Sequence, residues 1–74
     1  MWSHKFEWYG WKHTAYLYND GRVVIWRNQT KREAAEQVET YSLKRTDGTL
    51  PPLNQDALLK QVILWKRSRE DIHG

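Results

Sequence analysis

Residues 15–26 read AYLYNDGRVVIW, and this stretch decides the fold of the first half of the chain. Two β-prone runs flank Asn-Asp-Gly, a strong hairpin signal, because Gly21 can adopt the left-handed conformation that closes a short loop. A three-residue loop over residues 19–21 places Leu17 opposite Val23 and gathers the aliphatic side chains on one face. A two-residue loop would shift the pairing by one residue and mix aliphatic with aromatic side chains, so we favour the first register.

The residues before this hairpin alternate in the manner of a half-buried strand, with aromatic and histidine side chains at the even positions of residues 2–8. A turn at residues 9–10 then creates cross-strand pairs that join opposite charges or aromatic rings: Trp8 with Trp11, Glu7 with Lys12, and Phe6 with His13. The sequence therefore predicts three antiparallel strands, over residues 2–8, 11–18 and 22–28.

The second half of the chain predicts two helices. Thr30 and Glu33 have the spacing of a capping box, and small or apolar residues follow at helical spacing, which indicates a helix over residues 30–43. Asn54 can cap a second helix over residues 54–70. The apolar stripe predicted for that second helix consists of Leu58, Leu59, Val62, Ile63 and Trp65.

These elements predict an α+β fold, a three-stranded antiparallel β-meander followed by two α-helices (βββαα), in a single small domain over residues 1–74. The sequence leaves open which sheet face the second helix covers. So short a chain buries only about 60% of the surface that its unfolded form exposes, so its five Trp and four Tyr side chains are needed for bulk.

Composition excludes several classes of protein. The chain has no cysteine, which argues against a disulfide-stapled secreted scaffold and fits a reducing cytoplasm. It shows no apolar run near the ~18 residues that a membrane span needs, and its N-terminus lacks an apolar signal segment. We therefore expect a cytoplasmic protein without membrane contact. Twelve Lys and Arg against nine Asp and Glu give a formal charge of +3, which permits an anionic partner.

Catalytic chemistry has little support. The three histidines lie far apart in sequence, and a metal site needs three or four convergent ligands. The four glycines are turn or terminal residues, so no phosphate-binding glycine loop is present. We therefore predict that the protein is not an enzyme and has no metal or cofactor.

Two surfaces remain as candidate binding sites. One is the outer sheet face, where aromatic and basic side chains alternate: Lys5, Lys12, Tyr16, Tyr18, Arg22 and Trp26. The other is a row on the second helix: Lys60, Leu64 and Arg67. Exposed aromatics beside cations are typical of protein hot spots and also of surfaces that stack nucleic-acid bases. The edge strand over residues 22–27 offers a further route, a homodimer formed by strand pairing.

A sheet followed by a helix that opens Thr-Lys-Arg-Glu-Ala-Ala is similar, over residues 11–41, to the arm-type DNA-binding domains of tyrosine integrases and to plant AP2 domains. That resemblance implies sheet-based DNA reading by Lys12, Tyr16, Arg22 and Trp26. The chain as a whole also looks like small phage-encoded, viral proteins that bind and block a host factor. We expect a protein-binding regulator or inhibitor, with nucleic-acid binding through the same face as the alternative.

Overall fold

The computed structural model describes the backbone of residues 1–73 and the side chains of residues 1–70, and it contains one antiparallel sheet followed by one helix. The sheet has the order β1-β2-β3-β4, so each strand pairs with its neighbour in the chain. The elements are β1 (Trp2–Trp8), β2 (Trp11–Leu17), β3 (Arg22–Arg27), β4 (Glu36–Ser42) and α1 (Gln55–His73).

Both predicted hairpins are present in the predicted register. Trp8 pairs with Trp11 in the first hairpin, and Leu17 pairs with Val23 in the second. The second loop has three residues, and the Gly21 amide donates to the Tyr18 carbonyl over 2.9 Å. Gly21 has a φ of 87°, the left-handed conformation that this loop requires.

The predicted helix over residues 30–43 is wrong, and with it the βββαα arrangement; the observed order is ββββα, still an α+β fold. The Thr30 hydroxyl does accept the amides of Arg32 and Glu33, at 3.2 and 3.0 Å, so the N-terminal half of the capping box forms. The helix does not continue, because residues 36–42 pair with β3 instead. This segment contains β-branched and aromatic residues, and its pairing satisfies backbone groups that β3 would otherwise leave open.

A β-bulge in β4 places one additional side chain of this strand against the core. Ile25 pairs with Glu39 and Trp26 pairs with Gln37, so Val38 is the extra residue. Val38 packs against the core, and its carbonyl accepts a hydrogen bond of 3.0 Å from Arg69 of α1. The bulge thus links the edge strand to the helix.

Helix α1 lies on the aliphatic face of the sheet. The core consists of side chains from the two central strands and the helix: Ala15, Leu17, Val23, Ile25, Leu58, Val62 and Trp65. Asn54 caps the helix as predicted, because its side chain accepts the Ala57 amide at 2.8 Å. Ile63 was predicted to be buried but is 51% exposed, because the helix contacts the sheet through the narrower row of positions 58, 62 and 65.

Gly21 provides a test of the second hairpin. We expect Gly21→Ala to lower the free energy of unfolding by about 2 kcal/mol, since a left-handed non-glycine residue costs roughly 1–2 kcal/mol. In addition, the new Cβ would lie 2.6 Å from Cδ2 of Leu50, which must move. Gly48→Ala is the matched control, because Gly48 has a φ of 86° but nothing within 4 Å of a new Cβ. Urea unfolding that gives equal losses for both variants would contradict the Leu50 contact.

Candidate binding surfaces

The open sheet face is the face opposite the helix, and it carries the residues predicted for it. Strand alternation and the observed registers place Tyr16 opposite Val24, Thr14 opposite Trp26, and Lys5 opposite Thr14. We define this surface by Lys5, Lys12, Thr14, Tyr16, Tyr18, Arg22, Val24 and Trp26. Since the core forms between the helix and the aliphatic face, no element of the described chain covers the open sheet face.

Strand β4 changes the position of this surface within the sheet. Because β4 pairs with β3, the residues of β3 lie inside the sheet and residues 22–27 do not form an edge. The prediction of a homodimer through residues 22–27 as an edge strand is therefore wrong. The same pairing places Trp26 on an interior strand, while Arg22 stays exposed at the beginning of β3.

The open sheet face is already ordered by its own contacts. The Arg22 guanidinium lies 4.5 Å from the centre of the Tyr18 ring, and the rings of Tyr16 and Tyr18 are 6.3 Å apart. Thr14 and Val24 are only 6% and 5% exposed although the helix is on the other side. The Thr14 hydroxyl donates to the Asn28 side chain over 3.0 Å, and Val24 lies between Tyr16 and Thr40 in the sheet, so the surface has a packed centre with cations at its margin.

The helix row is exposed as predicted, and it is wider than predicted. Lys60, Leu64 and Arg67 are exposed, and Leu64 keeps 46% of its surface. Ile63 joins them, which gives the spacing i, i+3, i+4, i+7 of one helical stripe. The structure places this row on α1, so it and the open sheet face lie on opposite sides of the sheet.

A third site was not predicted from the sequence, and we call it the aromatic pocket. It is a cavity of about 160 Å³ at one end of the sheet, on the helix side, and six of its lining residues are Trp8, Trp11, His13, Arg27, Trp65 and Arg69. The rings of Trp8 and Trp65 are 4.9 Å apart, and the two guanidinium groups lie over Trp11 and Trp65 at 4.4 and 5.1 Å. The alternation of side chains along β1 and β2 predicts that Trp8 and Trp11 lie on the core face. The positions of Arg27 and Arg69 beside them depend on how β4 and α1 pack, which the sequence does not indicate.

His13 is buried in the wall of this pocket. Its Nδ1 donates to the Trp11 carbonyl over 2.8 Å, and its ring stacks on Phe6 with centroids 5.1 Å apart. Burial lowers the pKa of His13 below its usual 6.5, and the positive charges of Arg27, Lys66 and Arg69 lower this pKa further, while the hydrogen bond to Trp11 opposes the shift. The ring is therefore held neutral near pH 7.

This lowered pKa predicts a dependence of stability on pH. Below pH 6.5 the unfolded chain takes up a proton at residue 13 while the folded protein does not, so the free energy of unfolding should fall with decreasing pH until the folded-state pKa is passed. About one pH unit or more above 6.5, His13 is neutral in both states and this contribution is constant. Urea titrations from pH 7.5 downward should show a flatter slope for His13→Gln, and His4→Gln is the matched control. A wild-type slope in His13→Gln would assign the effect to another group.

The described side chains contain no group of three or more His, Asp or Glu residues that could hold a metal ion. Within the described chain, no helix has the length and apolar character needed to cross a membrane. The resemblance to integrase arm domains and AP2 domains depended on a helix directly after the third strand, and the structure has β4 there. In comparisons with known proteins, no family model, no curated protein and no solved structure matches the chain.

Proposed function

We propose that this protein is a non-enzymatic binding module that attaches to another protein through its open sheet face. The observation that supports this most is the position of Trp26, on an interior strand at the packed centre of a face that the helix leaves uncovered. Hot spots of protein interfaces are enriched in Trp, Tyr and Arg near their centres, inside a polar margin. A module of this kind acts as a regulator or inhibitor by occupying a surface of its partner.

The charges of the open sheet face favour a protein over a nucleic acid. A nucleic-acid site needs a continuous row of cations that follows the phosphates. Here Arg22 is stacked on Tyr18, and Lys12 lies opposite the carboxylate residue Glu7 in the strand register. The outward positions of β4 are neutral, because they are Gln37, Thr40 and Ser42. The cations are thus scattered around the aromatic side chains and do not form a track.

Affinity capture with matched baits tests this proposal. The wild-type protein, a Tyr16→Ala/Trp26→Ala variant and a Lys60→Ala/Leu64→Ala variant are immobilised and exposed to cell extract, with and without nuclease. We expect a stoichiometric protein that survives nuclease, binds the helix variant and is lost from the sheet variant. Loss of all captured material on nuclease treatment would support the nucleic-acid alternative, and equal capture by the sheet variant would move the site to the helix row. Circular dichroism of each bait establishes that it is folded.

A further inference from the structure

The volume of the aromatic pocket suits a small ligand. Its volume is about 160 Å³, close to the ~150 Å³ of an apolar cavity that accepts a benzene molecule. A single six-membered ring fits such a space. Three tryptophans contribute to the lining, so a planar ring would contact aromatic surface there.

The charges around the pocket select the sign of a ligand. A cage of tryptophans often holds a cation, but the faces of Trp11 and Trp65 already carry the guanidinium groups of Arg27 and Arg69. These groups would repel a second cation. Lys66, whose ammonium lies 4.9 Å from the Phe6 ring, adds further positive charge on the same side.

The two arginines differ in what they can offer an anion. Arg27 is held by the carboxylates of Glu33 and Glu36, each at 3.0 Å, so its charge is balanced. Among the described side chains, no carboxylate lies within ion-pair distance of Arg69, which donates one hydrogen bond to the Val38 carbonyl. A guanidinium has five N–H donors and its planar fork matches a carboxylate, so Arg69 can orient one.

The same cluster contains buried hydrogen-bond donors without acceptors. In the part of the chain with described side chains, the indole N–H groups of Trp8 and Trp65 are buried and have no partner. Unpaired buried donors are rare in folded proteins and each costs stability. The ring of Tyr9, a residue that is 71% exposed, packs edge-on against Trp8 with centroids 4.5 Å apart.

We propose that the aromatic pocket binds a small aromatic carboxylate, with the ring among the tryptophans and the carboxylate on Arg69. The site is separate from the open sheet face, because it lies on the helix side of the sheet. The ligand supplies a ring that fills the cavity, a carboxylate that accepts hydrogen bonds from Arg69, and an acceptor close to the two tryptophans whose buried indole N–H groups have no partner among the described residues.

Titration with benzoate, followed by ¹H–¹⁵N spectra of the indole N–H groups, tests the proposal. The resonances of Trp8 and Trp65 should shift with saturation, while that of Trp26 on the opposite face should stay unchanged. Benzylamine has the same ring with the opposite charge, and acetate has the charge without the ring; both should bind at least about tenfold more weakly. No shift at about 10 mM benzoate, tenfold above the ~1 mM dissociation constant expected of so small a ligand, would overturn the proposal. Equal shifts with acetate or benzylamine would also overturn it.

Variants identify the residue that holds the carboxylate. Arg69→Gln should weaken benzoate binding by about tenfold or more, because a charge-assisted hydrogen bond is lost. Arg67→Gln removes the same charge from an exposed position of the same helix and should change the affinity less than about twofold. Equal losses in both variants would mean that only the net charge matters and would contradict the role of Arg69. The comparison of benzoate with benzylamine on the wild-type protein decides the ligand class even if Arg69→Gln does not fold.

Discussion

Trp65→Ala is expected to remove about half of the protein's free energy of unfolding at 25 °C. Trp65 is 5% exposed and its ring contacts those of Phe6, Trp8 and His13, at centroid distances of 6.0, 4.9 and 5.6 Å. Truncation of a buried Trp to Ala costs about 3–5 kcal/mol, because the lost contacts leave a cavity. A 74-residue domain has a total stability of only about 4–11 kcal/mol, so this single change removes much of it.

Two further variants distinguish the packing of the Trp65 ring from the effect of its indole N–H group and from changes elsewhere on the helix. Trp65→Phe keeps most of the ring and removes a buried N–H group without an acceptor, so we expect a loss of about 1 kcal/mol or less. Ile63→Ala changes an exposed position of the same helix and should stay within about 0.5 kcal/mol of the wild type. Urea unfolding monitored by circular dichroism measures all three. If Ile63→Ala cost as much as Trp65→Ala, the helix would contact the sheet through a different stripe.

The two hairpins could be predicted from the sequence because their signals are local. Turn residues at Tyr9-Gly10 and Asn-Asp-Gly fix where the chain reverses, and alternation then fixes which side chains share a face. The cap at Asn54 is equally local. For these elements, interactions between residues close together in sequence are strong enough to determine the conformation.

Residues 30–43 could not be assigned in this way, because the competing interactions are distant in sequence. The capping hydroxyl of Thr30 forms its helix-like bonds, yet Glu33 pairs with Arg27. Isolated helices of this length are marginal in water, while pairing with β3 supplies a full ladder of backbone hydrogen bonds. The segment also lacks a simple alternation, because the bulge places Val38 and Tyr41 against the core while Gln37, Thr40 and Ser42 face the other side of the sheet.

The candidate sites show the same division. The open sheet face follows from the hairpin registers, so its residues could be named from the sequence. The aromatic pocket needs the helix to cross the sheet and the bulge at Val38 to receive Arg69. No local sequence pattern indicates the direction in which the helix crosses the sheet, or the position of the bulge. Because the helix direction decides which of its residues face the sheet, the prediction that Ile63 is buried was wrong.

Trp26→Ala should weaken binding of the captured protein partner by about 2 kcal/mol or more, which is roughly a thirtyfold rise in the dissociation constant. Trp26 lies on an interior strand opposite Thr14, so a partner that covers the open sheet face excludes water around its ring. A side chain in that position contributes more than one at the margin. Trp26→Phe retains a ring and should recover part of the loss.

The charged margin of the open sheet face distinguishes this expectation from its alternative. With a protein partner, Lys12→Ala should mainly slow association and leave the dissociation rate close to that of the wild type, because an exposed cation acts at long range. With a nucleic acid, the same change should lower the slope of log affinity against log salt by about 0.7–0.9. Surface plasmon resonance at several salt concentrations measures both quantities on folded variants. If Trp26→Ala, Tyr16→Ala and Arg22→Ala all bind like the wild type, the open sheet face is not the site, and Lys60, Leu64 and Arg67 become the residues to replace.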